Sequence, residues 1–276
     1  MPELPEVQTV VNDLSEAGLV GATVTGARVF WPQTVAGLSP RTFCRRIRGE
    51  RLVGLRRRAK YIVFDFRSRD SLLIHLRMSG RLHLASPGED RSKHDQVILE
   101  LGKRRQLRFH DTRKFGRMYL VDDPDRILGH LGPEPLLSSF TSKVFGERLR
   151  DRRRLLKPLL LDQGFLAGLG NIYTDEALWE AGLHPCRIAS SLSEREVRAL
   201  HRAIRKVLRQ GIDNFGTTLG SGTSNFTSIA RRMGRNRQQL NVYRRTDLPC
   251  PRCQSSIQRH IVGQRSTHLC PTCQKP

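Results

Sequence analysis

The sequence predicts an α+β chain of more than one domain: a β-sandwich or barrel led by an N-terminal helix, a helical region, and a small cysteine-bound hairpin at the C-terminus. Three observations predict it. Between about residues 20 and 120 the apolar residues fall in short, often alternating runs, YIVFDF, SLLIHL, RLHL, QVILEL and QLRF, separated by Gly, Pro, Asp and Arg clusters. Beyond the turn cluster DDPD at 122–125 the longer helical period takes over in KPLLLDQ, TDEALWEAG and SEREVRALHRAIRKVLRQG. The chain then closes on two C-x₂-C pairs. At 276 residues it is long for one core and sufficient for two.

The opening MPELPEV is extended and leads into a helix over 6–17, where Val7, Val10, Val11, Leu14 and Ala17 share a face. Pro5 suits the first turn, where its missing N–H costs nothing, and Gly18 is a natural stop. In the last helical stretch Leu192, Val197, Leu200, Ile204, Val207 and Leu208 make one stripe. Ser193 and Glu196 form a capping-box pattern there, and Gly211 is expected to end the helix. The segment 212–246, rich in Gly, Ser, Asn and Arg, reads as a long loop of the kind that carries function. Domain limits of 1–125, 126–240 and 241–276 follow.

Charge narrows the function. Lys and Arg number 48 against 26 Asp and Glu, a formal charge of +22. Nucleic acid is the leading partner, because each neutralised phosphate releases a counterion. No apolar run is long enough for a membrane span, and the start lacks the charged and apolar regions of a signal peptide. A cytoplasmic protein is expected, so the six cysteines are not read as disulfides.

Cys250-Pro-Arg-Cys253 and Cys270-Pro-Thr-Cys273, sixteen residues apart, have the spacing of a structural zinc site, in which four thiolates complete a tetrahedron. A redox pair or a loose tail is the weaker reading. The intervening SIQRHIVGQRSTHL reads as a hairpin turning near Gly263. Cys44 and Cys186 are expected to be packing residues. In GFLAGLGNIYTDEAL, Gly168 and Gly170 make a tight turn into a helix, either a phosphate-binding turn or simply a structural one. HDTRKFGR at 110–117 sets cations beside an aromatic, either a wedge for a base stack or a solvated turn over a buried Phe115.

Taken in order, these pieces resemble bacterial formamidopyrimidine-DNA glycosylases, within the wider group that includes endonuclease VIII. The match runs along nearly the whole chain: PELPEV, RRAKY at 57–61, HLRMSG at 75–80, KHD at 93–95, TRKFG at 112–116, KPLLLDQ at 157–163, GLGNIY at 168–173, GQRSTH at 263–268 and the four cysteines. Leu4 favours the formamidopyrimidine branch.

The resemblance implies a β-sandwich, a helix–two-turns–helix domain and a zinc hairpin, with DNA between them. It implies a bifunctional glycosylase and AP lyase of base excision repair that removes oxidised purines through a Schiff base, followed by β,δ-elimination. Pro2, exposed by removal of Met1, would be the nucleophile and Glu3 the acid/base, with Glu6 holding the amine. Lys60 and Arg265 would serve the two eliminations and clamp phosphates. Met78, Arg113 and Phe115 would fill the hole left by the flipped nucleotide, with Arg113 reading the orphaned cytosine. His94, Arg113, Arg152 and Asn171 would contact the DNA backbone; His75 is either a further contact or a core histidine. One structural zinc, damaged double-stranded DNA as partner, and a monomer on the bacterial nucleoid are expected. The lesion-capping loop departs from familiar members: after Thr217-Thr218 it runs through Gly220-Ser221-Gly222 into a basic stretch from Arg231 to Arg237. The same chemistry on oxidised pyrimidines, or a zinc-stabilised DNA-binding protein without catalysis, are the alternatives.

Overall fold

The computed structural model describes residues 1–219, 229 and 233–276. The Gly220–Gly222 run and the start of the basic stretch at 231–232 lie outside the described residues. The chain divides into two compact units: 1–129 with 214–235, and 130–213 with 236–276. Residues 214–235 thus group with the N-terminal unit rather than with the helices that precede them in sequence.

The first unit opens with α1 (Leu4–Glu16), which carries Pro5 in its first turn and starts on a reciprocal capping box between Glu3 and Glu6. Strands β1 (Val24–Val29), β6 (Asp95–Leu101), β7 (Arg105–His110) and β5 (Arg81–Ala85) form one antiparallel sheet in that order. The second sheet runs β2 (Leu52–Arg58), β3 (Tyr61–Phe66), β4 (Ser71–His75) and β8 (Arg117–Val121). One core unites the α1 stripe Val7, Val10, Val11 and Leu14 with Ile62, Phe64, Leu72, Ile74, Val97, Leu99, Leu107 and Phe109. That is the expected sandwich. Unexpected within it is α2 (Pro40–Ile47), capped by Ser39 and burying Phe43 and Ile47; two apolar residues among arginines give too short a helical pattern to stand out.

The turn cluster DDPD runs into the short α3 (Asp125–Leu128). The second unit holds α4 (Ser142–Arg150), α5 (Leu156–Leu161), α6 (Asn171–Ala181) and α7 (Glu194–Asp213), with α5 and α6 as the helix–two-turns–helix pair. Gln163 braces the turns between them: its side chain donates to the carbonyls of Leu161 and Leu169 at 2.9 and 2.8 Å and accepts the N–H of Gly168 at 3.0 Å. α6 ends on Gly182 in the left-handed region. α7 begins on the Ser193–Glu196 capping box, but Gly211 does not end it: the helix runs on to Asp213. Gly211 serves packing instead, since a Cβ there would come within 2.6 Å of the Tyr173 ring. Strands β9 (Gln258–Val262) and β10 (Arg265–Leu269) form the terminal hairpin, turning through Gly263 and Gln264 at φ +56° and +60°. Two consecutive left-handed residues match the right-handed twist of a two-residue hairpin. Cys44 packs against the sandwich core, whereas Cys186 is exposed and so is not a packing residue. No helix among the described residues is long and apolar enough to cross a membrane.

Candidate nucleic-acid interface and metal centre

The start of the chain is fixed by one carboxylate. Glu6 accepts the backbone N–H of Glu3 at 2.8 Å and, through its other oxygen, that of Thr217 at 2.7 Å. Pro2, Glu3 and Glu6 are all buried, Glu3 only 2% exposed. Two buried acids at a chain start serve no core, and burial of a charge costs several kcal/mol unless hydrogen bonds offset it. Arg57 ties this corner to the β2–β3 turn, donating to Gln8 of α1 at 3.0 Å and to the Ala59 carbonyl at 3.1 Å. Lys60 follows Ala59, which adopts φ +51°, and is buried.

At the same end of the sheet His75 pairs with Tyr61, their rings edge to face with centroids 4.7 Å apart. Its Nδ1 accepts the N–H of Arg77 at 3.0 Å. Burial, helped by the charges of Arg77 and Lys60, lowers its pKa to about 3. His75 is therefore a neutral, buried residue that orients the loop bearing Met78.

Met78, Arg113 and Phe115 come together on two loops. Arg113 donates its backbone N–H to Ser79 at 3.3 Å, and its guanidinium lies 4.8 Å from the centre of the Phe115 ring. Met78 and Phe115 are 47% and 46% exposed, which removes the reading of Phe115 as a buried residue. Both apolar side chains stand in solvent beside a cation. The organiser of these loops, missed at the level of sequence, is the buried Asp111. It accepts the hydroxyl of Ser79 and the backbone N–H groups of Arg113 and Gly116 at 2.5, 3.1 and 2.7 Å. An Asp two residues before a turn N–H is a legible Asx signal in HDTRKFG. His94 joins this group: its carbonyl accepts the Asp111 N–H at 2.9 Å, and its ring lies 5.5 Å from that of His110.

The remaining candidates belong to the second unit. Asn171, at the start of α6, donates its side-chain amide to the Ser266 carbonyl at 2.8 Å, next to the exposed Arg265. That same carbonyl accepts from Lys157 at 2.9 Å. Lys157 is fully buried and paired with the equally buried Asp175 at 2.6 Å. The other oxygen of Asp175 accepts the N–H of His268 at 2.9 Å. The strand presenting Arg265 is therefore clamped to α5 and α6 by a buried ion pair, a role that the motif KPLLLDQ does not announce. Arg152 is exposed just beyond α4.

Cys250, Cys253, Cys270 and Cys273 converge with all four sulfur atoms within 4.8 Å of one another. Separations of 3.4 Å from Cys253 to Cys270 and Cys273, and 4.0 Å between Cys250 and Cys273, bracket the roughly 3.8 Å edge of a tetrahedron with 2.3 Å zinc–sulfur bonds. The indole N–H of Trp179 donates to the Cys250 sulfur at 3.4 Å, the outer support expected of a thiolate ligand. The four residues fit one structural zinc.

A β-sandwich with a buried acid pair at its start, a helix–two-turns–helix unit and a four-cysteine hairpin define a multidomain protein with an exposed basic-aromatic interface. Family models cover the same parts: the formamidopyrimidine-DNA glycosylase N-terminal domain over residues 1–118, its H2TH domain over 131–222, and the zinc finger found in FPG and IleRS over 247–276. The formamidopyrimidine-DNA glycosylase of Protochlamydia amoebophila is 47% identical over 275 residues, all of both chains, and that of Herpetosiphon aurantiacus 44% over 277 residues, 99% of this chain and all of that one. Among solved structures, Lactococcus lactis Fpg in complex with abasic-site DNA has a TM-score of 0.90 at 35% identity, covering 99% of this chain and all of that one. Its complex with Fapy-dG DNA has a TM-score of 0.90 at 34% identity, with the same coverage. The chain belongs to the formamidopyrimidine-DNA glycosylase family.

Proposed function

We propose that this protein is a bifunctional DNA glycosylase and AP lyase that removes oxidised purines, 8-oxoguanine and formamidopyrimidines, from double-stranded DNA. The observation that carries the reading is the Glu6 carboxylate, which grips the backbone of Glu3 and of Thr217 and so immobilises the chain start. Once Met1 is removed, Pro2 offers a secondary amine whose pKa lies well below that of lysine, leaving a useful neutral fraction near pH 7. The amine nitrogen bonds to C1′ of the damaged nucleotide and the glycosidic bond breaks, the base leaving with its electron pair and taking up the proton that the amine gives up. Glu3 protonates the ring oxygen as the sugar opens to an iminium. The iminium acidifies C2′–H. Loss of that proton expels the 3′ phosphate, assisted by Lys60, and a second elimination, assisted by Arg265, releases the 5′ phosphate.

Met78, Arg113 and Phe115 fill the space of the everted nucleotide. Unpairing and unstacking a base costs a few kcal/mol, and two exposed apolar side chains offset part of it. A guanidinium only donates, so Arg113 favours cytosine, with two acceptors on its pairing edge, over adenine, which presents a donor there. His94, Arg152 and Asn171 hold phosphates. The chain acts as a monomer on the bacterial nucleoid in the cytoplasm, and its +22 charge supports the association with DNA. The test is a panel of duplexes, each with one defined lesion opposite a defined base. Release of 8-oxoguanine and formamidopyrimidine with β,δ-cleaved ends is expected. Binding without any base release would leave only a zinc-stabilised DNA-binding protein.

A further inference from the structure

The two ends of the β2-β3-β4-β8 sheet are both basic, and only one is used by the proposed chemistry. Register fixes the near end: Arg58, Tyr61, His75 and Arg117 are mutual neighbours there, beside Lys60 and the loops bearing Met78, Arg113 and Phe115. At the far end Leu52 pairs with Phe66 and Ser71 with Val121. β3 separates the ends by about 17 Å, five steps of roughly 3.3 Å.

The far end carries a second cationic surface. On α2, Arg41 and Arg45 lie one turn apart on the exposed face, opposite the buried Phe43 and Ile47, and Arg48 follows at the C-cap, also exposed. Arg51 follows, and its carbonyl accepts the N–H of Arg67 at 3.0 Å, drawing in the β3–β4 turn with Arg67 and Arg69. All six arginines are exposed. Of the nearby acids, Asp70 is paired with Arg46 at 2.8 Å, Asp122 and Asp123 share Arg126 at 3.4 and 3.8 Å, and Glu50 accepts from the Ser68 hydroxyl at 2.8 Å while keeping its charge. None of the six arginines is ion-paired among the described residues. The other sheet extends the surface with the exposed Lys103 and Arg104, because the Gly102 N–H donates to Thr23 at 3.1 Å and Thr23 bridges to Arg51.

Six guanidinium groups without an ion-pair partner among the described residues outnumber the nearby carboxylates and repel one another. They complement a surface of closely spaced, regularly repeating negative charge. Duplex DNA presents one charge per about 1.7 Å of its axis. We propose that this far end of the sandwich binds the phosphate backbone of a second segment of double-stranded DNA, without reading its bases, while the near end holds the damaged segment. A protein so equipped passes directly from one duplex to another. The inference rests on the DNA-binding reading of the near end.

The test uses the full-length zinc-loaded protein and the triple variant R41Q/R45Q/R48Q, whose changes sit at exposed positions of α2 and its C-cap. With an abasic-analogue duplex saturating the primary site, a second, undamaged labelled duplex is titrated at several salt concentrations. Wild-type protein is expected to take up the second duplex. The triple variant should lower the slope of log affinity against log salt by roughly 2 to 3, about 0.9 for each phosphate that is no longer neutralised. Single-turnover excision from a short damaged duplex, read in parallel, should be the same for both proteins; failure of wild type to excise would overturn the proposed function and not this surface. Strict one-to-one binding by wild type at low salt, or an unchanged slope in the variant, overturns the proposal. So does loss of binding to phosphatidylserine vesicles with the second duplex retained, which would make the surface a membrane contact.

Discussion

At the chain start, Glu6 binds two backbone N–H groups, from Glu3 and from Thr217, and its neighbour Glu3 is buried with it. At the other terminus four cysteine sulfur atoms converge, and the strand bearing Arg265 is clamped through Ser266 and His268 to Lys157 and Asp175. Both regions hold a terminal segment still, by different means. The first draws on a sandwich with a large core of its own. Among the described residues, the cluster around the sulfur atoms is Trp179, Val242, Cys250, Ile257 and Cys270, with Cys253 and Cys273 against it, so the hairpin needs the metal as its core. The N-terminal site should therefore tolerate metal loss and fail on loss of one chemical group, whereas the hairpin should fail as a unit.

The sharpest contrast is expected from Pro2→Gly and Glu3→Gln. Base excision should fall by about 10²–10⁴ for Glu3→Gln, the range of a missing general acid, and at least as far for Pro2→Gly, with DNA affinity largely kept. Single-turnover excision beside a binding titration checks this, and excision at the wild-type rate would remove the chemical assignment. Next in size is Cys253→Ser. Zinc content should drop from one per chain to none, DNA binding should weaken as Arg265 loses its support, and the fluorescence of Trp179 should change as its thiolate partner is freed. The sandwich should keep its cooperative unfolding, followed by circular dichroism; its collapse along with the metal would break the contrast.

Arg113→Ala is a finer probe. One good bidentate contact discriminates by about 1–3 kcal/mol, so the preference for a lesion opposite cytosine over adenine should shrink about ten- to a hundredfold. Phe115→Ala should slow excision opposite both bases alike. Competition assays with paired duplexes distinguish the two. The smallest effect concerns acid. His75 has a folded pKa of about 3 against an ordinary value of 6.5, because it is buried beside Arg77 and Lys60. Between those values the unfolded chain binds the proton and the folded chain does not, so its contribution to stability declines as pH falls from 6.5 toward 3, by at most about 1.4 kcal/mol per pH unit. Urea titrations from about pH 7 to 4 should show a shallower decline for His75→Asn, whose side-chain oxygen can still accept the Arg77 N–H.

Legibility differed between these regions for physical reasons. The hairpin was open to reading because metal ligation demands fixed spacing, and the α1 and α7 stripes because burial demands a period of about 3.6 residues. The buried acid pair is visible in PELPEV only as two charges; that Thr217, far along the chain, shares the Glu6 carboxylate is a tertiary fact with no local trace. Gly211 looks like a stop signal, and only the Tyr173 ring against its Cα shows why a helix runs through it. α2 hid among arginines, since a period needs more than Phe43 and Ile47 to declare itself. Asp111 is legible as an Asx turn and no further, because an ordinary Asx turn and a carboxylate that organises two loops differ only by what folds around them.

The most direct measurement is borohydride trapping on a duplex with a single 8-oxoguanine, followed by peptide mapping of the adduct. One covalent complex, carried on the amine of Pro2 after removal of Met1 and absent in Glu3→Gln, is the expected result. No adduct despite base release, or an adduct on Lys60 with Pro2 unmodified, would contradict the role given to the buried N-terminal corner.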